Sequence, residues 1–207
     1  MPKTATQDFL EIDQIKEGII VLKNRALRGV LMVSSLNFAL KSNEEQKATI
    51  YQFQNFLNSL DFSCQIIVQT RKVNITGYLD KLKEMEIKQK NELLKRQTTD
   101  YINFISSLVA SGVILSKNFF VVVPFTSIEI PGIKSSQQEP FLGEEKFQRI
   151  KSQLWQRMEF ISLGLKRCGL QSTSLDTTEL IELFWSLYHQ EQAEQGYYPT
   201  IPVELIK

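Results

Sequence analysis

VILSKNFFVVVPF, Val113–Phe125, is the most apolar stretch of the chain and decides how the rest must be arranged. Its second half, FFVVVPF, carries large apolar side chains at consecutive positions, so an extended segment would be apolar on both faces. The valines favour strand, and Pro124 lacks the amide that a ladder needs, which puts it at the strand's end. Such a strand belongs centrally in a sheet. The flanking segments must therefore supply strands for its edges and helices for its faces.

On the N-terminal side, Thr76–Ala110 is helical by propensity, with Gly112 as its stop. Its second part sets Tyr101, Phe104, Ile105 and Leu108 on one stripe. Lys83–Glu92 is mostly charged and offers only Met85 and Ile87, so this part is expected to stand partly away from the core. Before it, Phe62, Cys64, Ile66, Val68 and Thr70 alternate with Ser63, Gln65, Gln69 and Arg71, the pattern of a strand with one wet side. Ser42 and Glu45 form a capping box. They open a helix whose Ile50, Phe53, Leu57 and Leu60 recur at helical spacing. Ile19–Lys23 and Leu27–Leu36 are β-rich runs separated by Asn24, Arg25 and Ala26, which suits a hairpin.

On the C-terminal side, Thr126–Gly143 has the Pro, Gly, Ser and Gln content of a long exposed loop. Phe147, Ile150, Leu154, Met158, Ile161 and Leu165 then hold one helical stripe as far as Gly169. Leu170–Leu175 is a short polar edge strand. Asp176 and Glu179 repeat the capping-box pattern ahead of Leu180, Leu183, Phe184 and Leu187. The expected fold is α+β, with a mixed or mainly antiparallel sheet of about four to five strands covered by helices and one long, partly projecting helix. The expected organisation is a flexible N-terminus over 1–7, one domain over 8–190 containing the loop 126–143, and a loosely held tail over 191–207.

Composition removes several function classes. The net charge is +1, so no overall field would gather phosphate backbones, and nucleic acid is disfavoured as a partner. Cys64 and Cys168 belong to no CxxC pair and read as reduced core thiols. No run approaches the length that spans a bilayer, and Met1–Asp8 lacks the apolar core of a signal peptide, so the expected location is cytoplasmic. None of the nine glycines opens a P-loop, and a single histidine, His189, leaves little for metal or triad chemistry. Glu84 with Glu86, Glu144 with Glu145, and Glu191 with Glu194 read as solvated helix charges. No catalytic residue, metal ligand or cofactor follows.

Two features exceed what a plain core requires. The charged segment with Met85 and Ile87 is either an arm that packs on a partner or simply an exposed helix. The tail, with Tyr197 and Tyr198, either docks on a partner or folds back on its own domain. Met85, Ile87, Tyr197 and Tyr198 are the partner-binding candidates.

Four strings resemble a known family. GVLMVSSLNFAL (Gly29–Leu40), YQFQNFLNSLDFSCQIIVQTRKVN (Tyr51–Asn74), NFFVVVPF (Asn118–Phe125) and SLDTTELIELFWSLYHQ (Ser174–Gln190) are similar to the N-terminal domain of TraC-like conjugation ATPases of type IV secretion systems. The likeness runs over roughly residues 8–190. In that family the domain precedes a P-loop motor and helps attach it to the inner-membrane part of a bacterial apparatus. The resemblance implies a stand-alone docking subunit without the motor, serving a separate secretion or conjugation ATPase and a small inner-membrane component, and held through them at the inner face of that membrane. The alternative function is a single-stranded nucleic-acid-binding module using aromatic residues on a sheet.

Overall fold

The computed structural model describes residues 10–72, 75–111, 115–126 and 143–194. The expected N-terminal segment 1–7, the interior of the loop 126–143, and most of the tail, with Tyr197 and Tyr198, lie outside the described residues.

The elements run β1 (Ile12–Lys16), β2 (Ile19–Leu22), β3 (Leu27–Val33), α1 (Asn43–Asn58), β4 (Gln65–Lys72), α2 (Thr76–Lys88), α3 (Glu92–Ser111), β5 (Leu115–Phe125), α4 (Glu144–Arg167), β6 (Ser172–Ser174), α5 (Thr177–Tyr188) and α6 (Gln190–Glu194). The fold is α+β. Its described strands form one six-stranded sheet in the order β1-β2-β3-β5-β4, with β6 also pairing β3. Every pair with a described register is antiparallel. β5 lies between β3 and β4, and it is buried through Phe120 on one face and Val121, Val123 and Phe125 along the strand. Pro124 sits one residue before the end of β5, opposite Arg28.

The described residues form two compact units, the first drawn from 10–68, 118–126 and 143–183, the second from 69–72, 75–111, 115–117 and 184–194. In the first, α4 lies on the sheet. All six residues of its expected stripe, Phe147 to Leu165, are buried against Ile19, Val21, Leu27, Leu31, Val121 and Val123. Close approach is possible because Gly29 on β3 has no Cβ; one placed there would meet Met158 Sδ at 2.2 Å. α1 packs on α4 by the same device, since a Cβ on Gly164 would lie 2.2 Å from the Phe56 ring. Arg157 of α4 lies 4.6 Å from the centroids of both Phe62 and Phe125 and donates to the Pro124 carbonyl at 3.0 Å. Lys16 pairs with Glu144 at 2.8 Å, and Lys151 pairs with Glu17.

Both capping boxes are present. Glu45 N donates to Ser42 Oγ while Ser42 N donates to Glu45 Oε2. Glu179 N donates to Asp176 Oδ1 at 2.7 Å, with the reciprocal bond from Asp176 N to Glu179 Oε2 at 2.9 Å.

Four sequence expectations change. β1 joins the sheet through a two-residue turn, Glu17 and Gly18, with φ of 52° and 73°, the left-handed pair that a tight hairpin needs. In β4 the faces are reversed: Ile66 and Val68 are 55% and 53% exposed, whereas Gln69 is buried. Phe62 and Cys64 do pack on the core, but they precede the strand, so their parity does not carry into it. On α1 the buried position is Phe56, flanked by half-buried Phe53 and Leu60, while Ile50 and Leu57 are exposed. On α5 Leu180 is fully buried, but Leu187 is exposed and Ser186 takes a buried place.

Candidate interaction surface

The second unit contains a helical hairpin. The long helix expected over Thr76–Ala110 is interrupted at Gln89, whose ψ of 125° is extended, and Asn91 restarts it by accepting the Leu93 amide at 2.9 Å. α2 and α3 then pack side by side, with Leu82 and Ile102 buried. Thr99 Oγ1 donates to Glu86 Oε1 across the hairpin, so one of its few inward acids is satisfied by a hydroxyl. The Tyr78 and Tyr101 hydroxyls share a hydrogen bond at 3.3 Å. That bond, first among its causes, raises the Tyr78 phenol above its ordinary value.

The tyrosine contact fixes which apolar residues share a face. Tyr78 and Met85 are seven residues apart on α2, two turns, and so lie on one side of it. Leu94, Tyr101 and Phe104, at steps of seven and three, occupy one arc of α3. Met85, Leu94 and Tyr101 are about half exposed, and Phe104 is 59% exposed. Of the stripe expected to face the core, Tyr101, Phe104 and Leu108 are therefore exposed, and only Ile105 is half-buried, beside Ile102.

Met85 and Ile87 are 46% and 78% exposed, but they do not form one site. Residues two apart on a helix point about 200° apart, so Met85 joins the tyrosine face and Ile87 lies away from it. The surface thus consists of Tyr78, Met85, Leu94, Tyr101 and Phe104. Sequence reading named only Met85 because it assigned the α3 aromatics to the core. The usable signal was the Ile102–Ile105 pair, which marks an inner stripe offset from theirs.

His189 lies just past α5 and stacks on Trp185, with centroids 5.1 Å apart. Burial raises the thiols of Cys64 and Cys168 above their ordinary value, and both are free. Among the described residues no group of three or more His, Cys, Asp or Glu is placed to hold a metal ion, and no helix is long and apolar enough to cross a membrane.

A family model described as the archaeal TraC-like domain matches residues 13–190, from β1 into the start of α6. No curated protein and no solved structure matches the chain. The matched span takes in every described strand except the first residue of β1, and the hairpin with its exposed face. The chain belongs to the archaeal TraC-like domain family.

Proposed function

We propose that this chain is a non-enzymatic docking subunit of a conjugation-type secretion apparatus, binding a separate ATPase and a small membrane component. The observation that carries the reading is the exposed face of Tyr78, Met85, Leu94, Tyr101 and Phe104 on a hairpin within the family span. Clustered apolar exposure of this kind marks a surface used in association, and aromatic residues supply much of the energy at such contacts. Nucleotide hydrolysis in this reading belongs to the partner, and this chain supplies attachment. The archaeal description of the family supports an archaeal setting for this reading, rather than the bacterial one of the resemblance.

The test is quantitative affinity capture from native cells with the wild-type chain and with a Tyr101→Glu, Phe104→Glu double variant. A secretion ATPase or a small membrane protein should be recovered with the wild type and lost with the variant. Recovery of neither partner with the wild type would sink the proposal. Circular dichroism of the variant checks that both helices persist.

A further inference from the structure

β3 is flanked on one side by two strands in a single lane. β2 pairs its first half, at Ile20–Arg28 and Val21–Leu27, and β6 pairs its second half, at Leu31–Ser174 to Val33–Ser172. β2 sends Ile19 and Val21 into the core. β6, by contrast, is Ser-Thr-Ser, and its Ser172 Oγ donates to Ser162 Oγ of α4 at 2.8 Å. Short hydroxyl side chains cannot fill the space that Ile or Val would fill. A groove of about 460 Å³ consequently opens between α4 and β6, with Leu31 in its floor. That volume is in the range of ligand sites.

The wall of the groove is charged in one sense. Trp155, Glu159 and Ser162 recur at four and three residues along α4, and all three line it. Trp155 is 41% exposed. Glu159 is exposed, and its carboxylate has no ion pair or hydrogen bond with any described residue. The nearby cation Arg157 is held instead by Phe62, Phe125 and the Pro124 carbonyl. A carboxylate one turn from a partly exposed indole is a pairing that recognises a Lys or Arg side chain.

The floor adds a backbone template. Ser34 N donates to the Gln171 carbonyl, and Leu175 N donates to the Val30 carbonyl. In an antiparallel ladder the groups that bond the neighbour alternate, so those of 171, 173 and 175 face β3 and those of Ser172 and Ser174 face away. No described strand covers that outer edge. A strand added there would point side chains opposite Ser172 and Ser174 toward α4.

We propose that this groove is a strand-addition site for an extended segment of a partner protein carrying a lysine or arginine. The segment's backbone pairs with Ser172 and Ser174. Its basic side chain lays its stem over the two serines and its charge between the Trp155 ring and the Glu159 carboxylate. The inference is independent of the hairpin surface, because it uses other residues and a different binding mode.

The test is an NMR titration of the ¹⁵N-labelled chain with the peptide Ac-Thr-Val-Lys-Val-Thr-NHMe, its norleucine counterpart, and a version N-methylated at the lysine and both threonines, the residues whose amides would face Ser172 and Ser174. The lysine peptide should shift the amides of Ser172–Ser174 and the Trp155 indole N–H. Glu159→Gln should weaken the lysine peptide about fivefold and leave the norleucine peptide unchanged, the effect of losing one exposed charge contact. N-methylation should abolish binding. Equal binding of lysine and norleucine peptides, shifts outside the groove, or no saturable shift overturns the site. Undiminished binding of the N-methylated peptide would make it a cation pocket only. Self-association of the chain that Glu159→Gln abolishes would put a second copy in the groove, overturning the assignment to another protein.

Discussion

Gln69 is the buried polar side chain whose Oε1 has no hydrogen-bond partner among the described residues. A carbonyl removed from water without a partner costs about 1–3 kcal/mol, whereas an apolar side chain of similar length does not. Gln69→Met should raise stability by about 1 kcal/mol in urea unfolding. A loss would mean that the amide is satisfied. Alternation placed Gln69 in water by carrying the parity of Phe62 and Cys64 into the strand, where Ile66, Ile67 and Val68, apolar at consecutive positions, offered nothing to correct it. Glu17 and Glu144 act in the opposite sense. Hydrogen bonds, from Lys151 to Glu17 and from Lys16 to Glu144, hold both carboxyls below their ordinary 4.5. Their contribution is therefore present above that value and fades as pH falls through the lowered values of the folded chain. Unfolding midpoints measured from pH 7 down to pH 3 should fall less steeply in Glu17→Gln than in the wild type.

Among the elements, α4 was the most legible, because six apolar residues at steps of three and four leave one buried face. The two capping boxes were equally readable, since each is a local pattern that needs no tertiary information. Ser42→Ala and Asp176→Ala should each cost about 1 kcal/mol, measured by chemical denaturation. The hairpin was not legible, because its break depends on Gln89 turning extended where propensity alone continues a helix. β1 was missed for a related reason: Glu17 is a rare occupant of the left-handed region, and Glu-Gly carries little of the Asn-Gly or Asp-Gly turn signal. Where α1 meets α4 the tolerance for size is small. Gly164→Val should lose about 2 kcal/mol, because the Phe56 ring occupies the space that the new side chain needs.

At the scale of the whole molecule, the α+β class and the central β5 were readable from composition and from one buried strand. The two proposed surfaces were only partly so. Met85 was named from its charged surroundings, but the tyrosine contact that gathers it with Leu94 and Phe104 joins residues on two helices. The groove beside β6 depends on three small residues opposite one helix, which a weak polar strand does not announce. Net charge makes a further expectation at this scale. With a net charge of +1, the chain should show no submicromolar, salt-dependent binding to a single-stranded oligonucleotide in fluorescence anisotropy.

The shared lane beside β3 also governs when the fold can be completed. Its first occupant, Ile19–Leu22, leaves the ribosome early, but its second, Ser172–Ser174, arrives roughly ten seconds later at ordinary synthesis rates. During that interval the second half of β3 has an open flank, and backbone groups of Met32 and Ser34 await Thr173 and Gln171. A nascent chain stalled before residue 170 should remain sensitive to protease near Val33, and release past β6 should close that window. The unit is thus assembled from the two ends of its matched span, and its last hydrogen bonds set the end of its vulnerability during synthesis.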